Sequence, residues 1–141
     1  MAAYDDLSAF KIYLVDVGLL RRLAQLTPTA FGEGNRLFTE FKGALTENFV
    51  LQTLITQFEV TPRYWMQTNP PYEVDFLISE GSKINAFEVK SSGSGKHESI
   101  REFCRKFSQN ISKAYLISQK DAGKEENLLL EPFYLLPFLI K

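Results

Sequence analysis

The sequence predicts an α/β domain with a mixed central sheet flanked by helices. Three observations lead there. Apolar residues recur at three- and four-residue steps from 35 or 36 to 58, which is the pattern of one long amphipathic helix. Three strand-like runs follow at 63–67, 73–79 and 84–91, the last two joined by a hairpin signal. A second helical stretch and a further strand-like run then complete the order helix, three strands, helix, strand.

Taken in order, residues 11–17 (Lys-Ile-Tyr-Leu-Val-Asp-Val) read as a short strand and 18–26 as a short helix with Leu19, Leu20 and Leu23 on one side. Thr27-Pro28-Thr29 and Gly32-Glu33-Gly34 mark a loop. The long helix carries Leu37, Phe41, Ala44, Leu45, Asn48, Phe49, Gln52 and Ile55 at its periodic positions, and Gly43 lowers its propensity. Asn69-Pro70-Pro71 is a turn that cannot continue the 63–67 strand. Glu80-Gly81-Ser82-Lys83 separates the next two strands, and 91–95 is a Ser/Gly loop. Residues from Lys96 or His97 to Phe107 read as helix and 113–118 as strand. A polar loop follows at 121–127, then a short strand at 128–130 and a Pro-bounded apolar tail at 133–140, which core packing accounts for most simply.

The 141 residues suffice for one domain with its own core, and 45% hydrophobic with 23% charged residues is ordinary globular composition. A net charge of -1 argues against a protein that coats nucleic acid by bulk charge; any phosphate-binding residues must be gathered on one face. Cys104 and His97 are each the sole residue of their type, which leaves no disulfide within the chain and no zinc site of Cys and His. A metal here would take oxygen ligands, as magnesium, manganese or calcium does. The start lacks the basic and apolar regions of a signal peptide, and the tail is too short to span a membrane. The chain reads as cytoplasmic.

The informative region is Glu73-Val-Asp-Phe-Leu-Ile-Ser79 followed by Ile84-Asn-Ala-Phe-Glu-Val-Lys-Ser91. A hairpin loop centred on Gly81-Ser82 sets Ser79 opposite Ile84, and counting back sets Asp75 opposite Glu88, with Lys90 two residues on along the same face. The other face carries Val74, Phe76, Ile78, Phe87 and Val89, a core face interrupted only by Asn85. Opposed carboxylates repel, and a divalent cation between them reverses the sign of that interaction. Lys90 beside them would orient a water and stabilise charge on a phosphate. The hairpin equally admits a plainer reading in which Glu73 pairs with Lys90 and the acids are solvated, and one bulge would break the register.

Asp75 followed by Glu88-Val89-Lys90 resembles the D…(D/E)xK signature of the PD-(D/E)xK, restriction-endonuclease-like class, and Glu47 matches the helical acid that many members add. Wider wording carries the resemblance along nearly the whole chain. Lys11-Ile-Tyr-Leu-Val-Asp-Val-Gly-Leu-Leu20, Thr46-Glu-Asn-Phe-Val50, Tyr64-Trp65, Glu73-Val-Asp-Phe76 and Phe87-Glu-Val-Lys-Ser91 occur in order, followed by 99–103 and Leu135-Leu-Pro-Phe138. Together they are similar to the C-terminal domain of unknown function in a family of bacterial and archaeal AAA+-type ATPases. The resemblance implies a restriction-endonuclease-like domain, with 35–141 as its core and 1–34 as the end of a preceding region of a larger ATPase. It implies hydrolysis of DNA phosphodiesters with Mg²⁺ or Mn²⁺. Asp75, Glu88 and the backbone carbonyl of Val89 would be ligands, Glu47 a holder of a metal-bound water or second ion, and Lys90 the residue that positions the attacking water. This chain has no P-loop, since the spacing before Gly95-Lys96 is wrong and His97 stands where Ser or Thr is required, so it carries no nucleotide site of its own.

Lys96, Arg101 and Arg105, on or before the helix after the Glu-Val-Lys strand, are candidates for contact with a DNA backbone; the plainer account is a solvated face neutralised by Glu98 and Glu102. His97 reads as a surface residue, Tyr64 and Trp65 as strand-packing aromatics, and Cys104 as buried and inert. The expected partners are DNA and the ATPase region of the same polypeptide, with no membrane and room for a homo-oligomer. The alternative function is a docking or oligomerisation module that keeps the fold without catalysis.

Overall fold

The long helical period becomes a single 23-residue helix, α2 (Arg36–Phe58), preceded by a short one, α1 (Val17–Leu23). The protein is seen here in a computed structural model that describes residues 8–26, 36–91 and 97–139, with backbone alone over 36–41. The expected loop at 27–34, most of the Ser/Gly loop at 91–95, the side chains of Leu37 and Phe41, and Lys96 lie outside the described residues. So does Ile140 of the tail.

Among the described residues the sheet has six strands: β1 (Arg63–Gln67), β2 (Tyr72–Glu80), β3 (Lys83–Val89), β4 (Ile111–Ser118), β5 (Gly123–Glu125) and β6 (Leu128–Pro132). They lie in the order β1-β2-β3-β4-β6-β5. β1–β2, β2–β3 and β5–β6 are antiparallel, while β3–β4 and β4–β6 are parallel. The helix α3 (Glu98–Lys106) is the crossover that parallel pairing of β3 with β4 requires. The α/β architecture with a mixed sheet and flanking helices is therefore as the sequence predicts.

Alternation along the strands supplies two apolar layers. On one side Val50 and Leu54 of α2 pack with Phe76, Ile78, Phe87, Val89, Tyr115 and Ile117. Ile100 and Phe103 of α3 pack on the other side with Val74, Leu77, Ala86, Leu116 and Leu128. A 3₁₀ helix over Phe133–Phe138 closes the first layer. Leu136 is fully buried there, Phe133 and Leu139 pack beside it, and Tyr134 and Phe138 face solvent.

Three expectations are corrected. Residues 11–17 form no strand: Leu14, Val15 and Val17 bond through their backbones to the side chains of Asn48 and Gln52 of α2 rather than to a neighbouring strand, and Asp16 caps α1 by accepting from Leu19 N at 2.8 Å. The polar loop at 121–127 contains β5, paired with β6. Val74 belongs to the α3 layer, not to the layer of Phe76 and Ile78. The cause is a bulge. Arg63 pairs with Leu77 and Trp65 with Val74, so β2 carries one extra residue across Asp75-Phe76 and its alternation shifts there.

Candidate functional site

The β2–β3 hairpin has the expected register, with Ser79 opposite Ile84 and Glu80 opposite Lys83. Gly81 takes a φ of 61° in the two-residue loop, a conformation that glycine adopts without strain. Pairing runs back to Phe76–Phe87 and stops one step short of Asp75 and Glu88. Beyond that point the Asp75 side chain takes over, with Oδ2 accepting from Val89 N at 2.8 Å. Bulge and side-chain bond together aim Asp75 at the end of β3.

Glu88 turns the other way. Its Oε2 accepts from Ile100 N in the first turn of α3 at 3.1 Å, and its Oε1 lies 2.6 Å from Lys90 Nζ. The side chain is 2% exposed against 34% for Lys90, so the lysine bridges a buried carboxylate to solvent. Glu88 and Lys90 are thus brought together as expected, but both Glu88 oxygens are engaged within the protein. The pairing of Glu73 with Lys90, on the plainer reading, is absent: Glu73 forms its ion pair with Lys11.

Lys11 is the residue that sequence reasoning missed. Its ammonium forms an ion pair with Glu73 and lies 3.7 Å from Asp75 Oδ1 and 3.9 Å from Glu47 Oε2. It also sits 5.2 Å from the centre of the Tyr64 ring. Tyr13, two residues on, donates its hydroxyl to Glu47 Oε2 at 3.2 Å. Burial opposes the charge on Lys11, yet the Glu73 hydrogen bond and the charges of Asp75 and Glu47 outweigh it and hold the ammonium above its ordinary pKa. The carboxyl of Asp75 is pushed up to about 7, chiefly by burial, with Glu47 and Glu73 adding to the rise and the Val89 N–H and Lys11 opposing it. Burial first, then the charge of Glu47, raises the Tyr13 phenol and keeps it neutral.

The segment carrying Lys11 is strapped to α2 by amides. Asn48, 1% exposed, accepts from Leu14 N at 2.9 Å and donates to Leu14 O at 3.0 Å. One turn later Gln52 accepts from Val17 N and donates to Val15 O, both at 2.8 Å. Polar residues at inward positions of an apolar helix face were the signal for this contact, since buried amides need partners. An open cleft of about 560 Å³ adjoins the site, walled by Phe10, Lys11, Tyr64, Asp75 and Phe76 among others.

A hard divalent cation suits part of this arrangement. Glu47 and Asp75 converge on one positive charge, and Asp75 is a desolvated acid that a divalent ion would ionise. Each Glu88 oxygen already has a partner, Lys90 or Ile100 N, with which a metal ion would compete. Among the described residues, no group of three or more His, Cys, Asp or Glu is gathered so as to hold a metal ion.

Of the candidate nucleic-acid contacts, the two described ones, Arg101 and Arg105, are paired with acids. Arg101 reaches Glu126 at 3.0 Å and Glu125 at 3.3 Å, and Arg105 reaches Glu102 at 2.6 Å. Trp65 packs on Phe103 and Phe107, with ring centres 5.3 and 6.2 Å away. Cys104 is half-buried rather than buried, and burial raises its thiol pKa. His97 precedes α3 without capping it through its side chain; burial lowers its pKa against the pull of Glu88 and Glu125. No described helix is long and apolar enough to cross a membrane.

No curated protein and no solved structure gives a significant match to the chain. A family model does: it covers residues 42–133, more than half of the chain, and spans Glu47, Asp75, Glu88 and Lys90 but not Lys11. The chain belongs to the family described as Domain of unknown function (DUF4143).

Proposed function

We propose that this chain is a Mg²⁺-dependent, nuclease-like domain that hydrolyses DNA phosphodiesters, normally as the C-terminal part of an AAA+-type ATPase. The observation that carries the reading is the convergence of Glu47 from α2 and Asp75 from β2 on one cation, beside the Val89 end of β3 that also bears Glu88 and Lys90. The order α2-β1-β2-β3-α3-β4, with two antiparallel pairs and then a parallel one, supports a restriction-endonuclease-like core. Asp75, Glu47, Glu88 and the Val89 carbonyl are the groups that would hold Mg²⁺ or Mn²⁺. When bound, the ion supplies Lewis acidity toward the phosphodiester. Lys90 supplies a positive charge next to the reacting phosphate and a donor to the attacking water. The Val89 N–H fixes the Asp75 carboxyl, and Ile100 N fixes that of Glu88.

A docking or oligomerisation role is the second reading. It is favoured by the internal satisfaction of the charged groups: both Glu88 oxygens, Lys11, Arg101 and Arg105 all have partners in the chain. The deciding experiment is cleavage of single-stranded, duplex and branched DNA by the purified protein with Mg²⁺ or Mn²⁺, alongside Asp75→Asn. Cutting by the wild type that vanishes in the variant establishes the nuclease. Absence of cutting by the full ATPase-linked polypeptide on every substrate favours docking.

A further inference from the structure

We propose that Lys11 is the resident counter-ion of the Glu47–Asp75 site, and that a divalent cation enters only by displacing it. The inference rests on the reading of these acids as metal ligands and adds how access to them is controlled. Lys11 Nζ lies within 4 Å of both carboxylates and forms an ion pair with Glu73 besides. An ion bound between Glu47 and Asp75 would stand against the ammonium, and at such separations two like charges in a partly desolvated site repel strongly. The two cations are therefore alternatives.

Lys11 is also held in place. Its backbone segment is fixed to α2 by the paired bonds of Asn48 and Gln52, its neighbour Tyr13 is bonded to Glu47, and Tyr64 offers its ring face to the ammonium. This strap makes retention of Lys11 the resting arrangement. It also makes metal affinity depend on contacts 34–37 residues apart in sequence.

Calorimetric titration with Mn²⁺ tests this without any catalytic readout. Lys11→Met keeps an unbranched side chain one atom shorter and removes its charge, and it should bind Mn²⁺ about tenfold more tightly than the wild type. Its melting temperature should be lower than the wild type's without metal and should recover with Mn²⁺. Gln52→Ala leaves every charged group in place and loosens the strap; it should tighten Mn²⁺ binding by a smaller factor and guards against poor folding of the first variant. Unchanged or weaker Mn²⁺ affinity in Lys11→Met, or no detectable binding in it at all, overturns the proposal. Tighter binding in Lys11→Met, with no DNA cleavage by the full ATPase-linked polypeptide on any substrate, would sink the nuclease reading and leave this one standing. Cleavage by the wild type with no effect of Lys11→Met on Mn²⁺ affinity would do the reverse.

Discussion

Asp75 is the residue whose chemistry the fold changes most. Its carboxyl is raised from 3.8 to about 7, so between those values the unfolded chain is ionised there while the folded chain still holds the proton. The unfolded state then binds fewer protons, and the Asp75 contribution to stability falls as pH rises from about 4 to about 7 and is level above that. Asp75→Asn keeps an oxygen for the Val89 N–H and removes the ionisation, so its stability relative to wild type should improve from pH 4.5 to pH 8. Urea midpoints of both proteins at the two pH values measure this. A variant that loses ground with rising pH would show that Asp75 is ionised in the fold. Lys90 poses the opposite case. Lys90→Ala leaves the buried Glu88 carboxylate with the Ile100 N–H as its one remaining described partner, which should cost about 1–3 kcal/mol by denaturant unfolding. A loss well under 1 kcal/mol would mean that water replaces the ammonium at no cost.

At the scale of elements, what is legible in the sequence has a local signal. The hairpin register can be counted from Gly81 because the turn pins it, and α2 can be bounded because its apolar period ends at Phe58. The bulge at Asp75-Phe76 has no such signal: one extra residue in β2 is visible only against its partner β1. It moves Val74 to the far layer and turns Asp75 toward Lys11 and Glu47, so the catalytic-type signature is readable but its geometry is not. Lys11 escapes a sequence reading for a related reason. An extended segment anchored by side-chain amides carries neither a helical nor a strand period, and its apolar residues mimic a strand. Its trace lies in Asn48 and Gln52, four apart on an otherwise apolar face. Asn48→Ala should consequently free the strap and cost about 1–3 kcal/mol, with limited proteolysis near residues 8–16 accelerating before α2 itself opens. Gly43, by contrast, is the weak point that its low helix propensity suggests. A Cβ there meets no described atom within 4 Å, so Gly43→Ala should stabilise the protein by about 0.5–1 kcal/mol.

Over the whole molecule, charge is close to balanced, and much of it is paired within the chain. The net value is -1, and the two arginines of α3 that could have met a phosphate backbone already face Glu102, Glu125 and Glu126. Exposed pairs of this kind contribute little to stability, so their role is decided by what else could compete for the arginines. A DNA strand would have to displace the carboxylates, and each new bond to phosphate would come at the loss of an ion pair. Binding of DNA to this chain should therefore depend weakly on salt. If fewer than about three phosphates are neutralised, the slope of log affinity against log salt concentration should be shallower than about -3. Glu125→Gln with Glu126→Gln releases Arg101 without touching the acids of β2 and β3. That variant should bind DNA more tightly and steepen the slope by the equivalent of about one phosphate. Fluorescence anisotropy over about 50–200 mM salt resolves the difference. A steep slope in the wild type would place the phosphate path on basic residues other than Arg101 and Arg105, and an unchanged slope in the variant would remove α3 from the DNA-binding face.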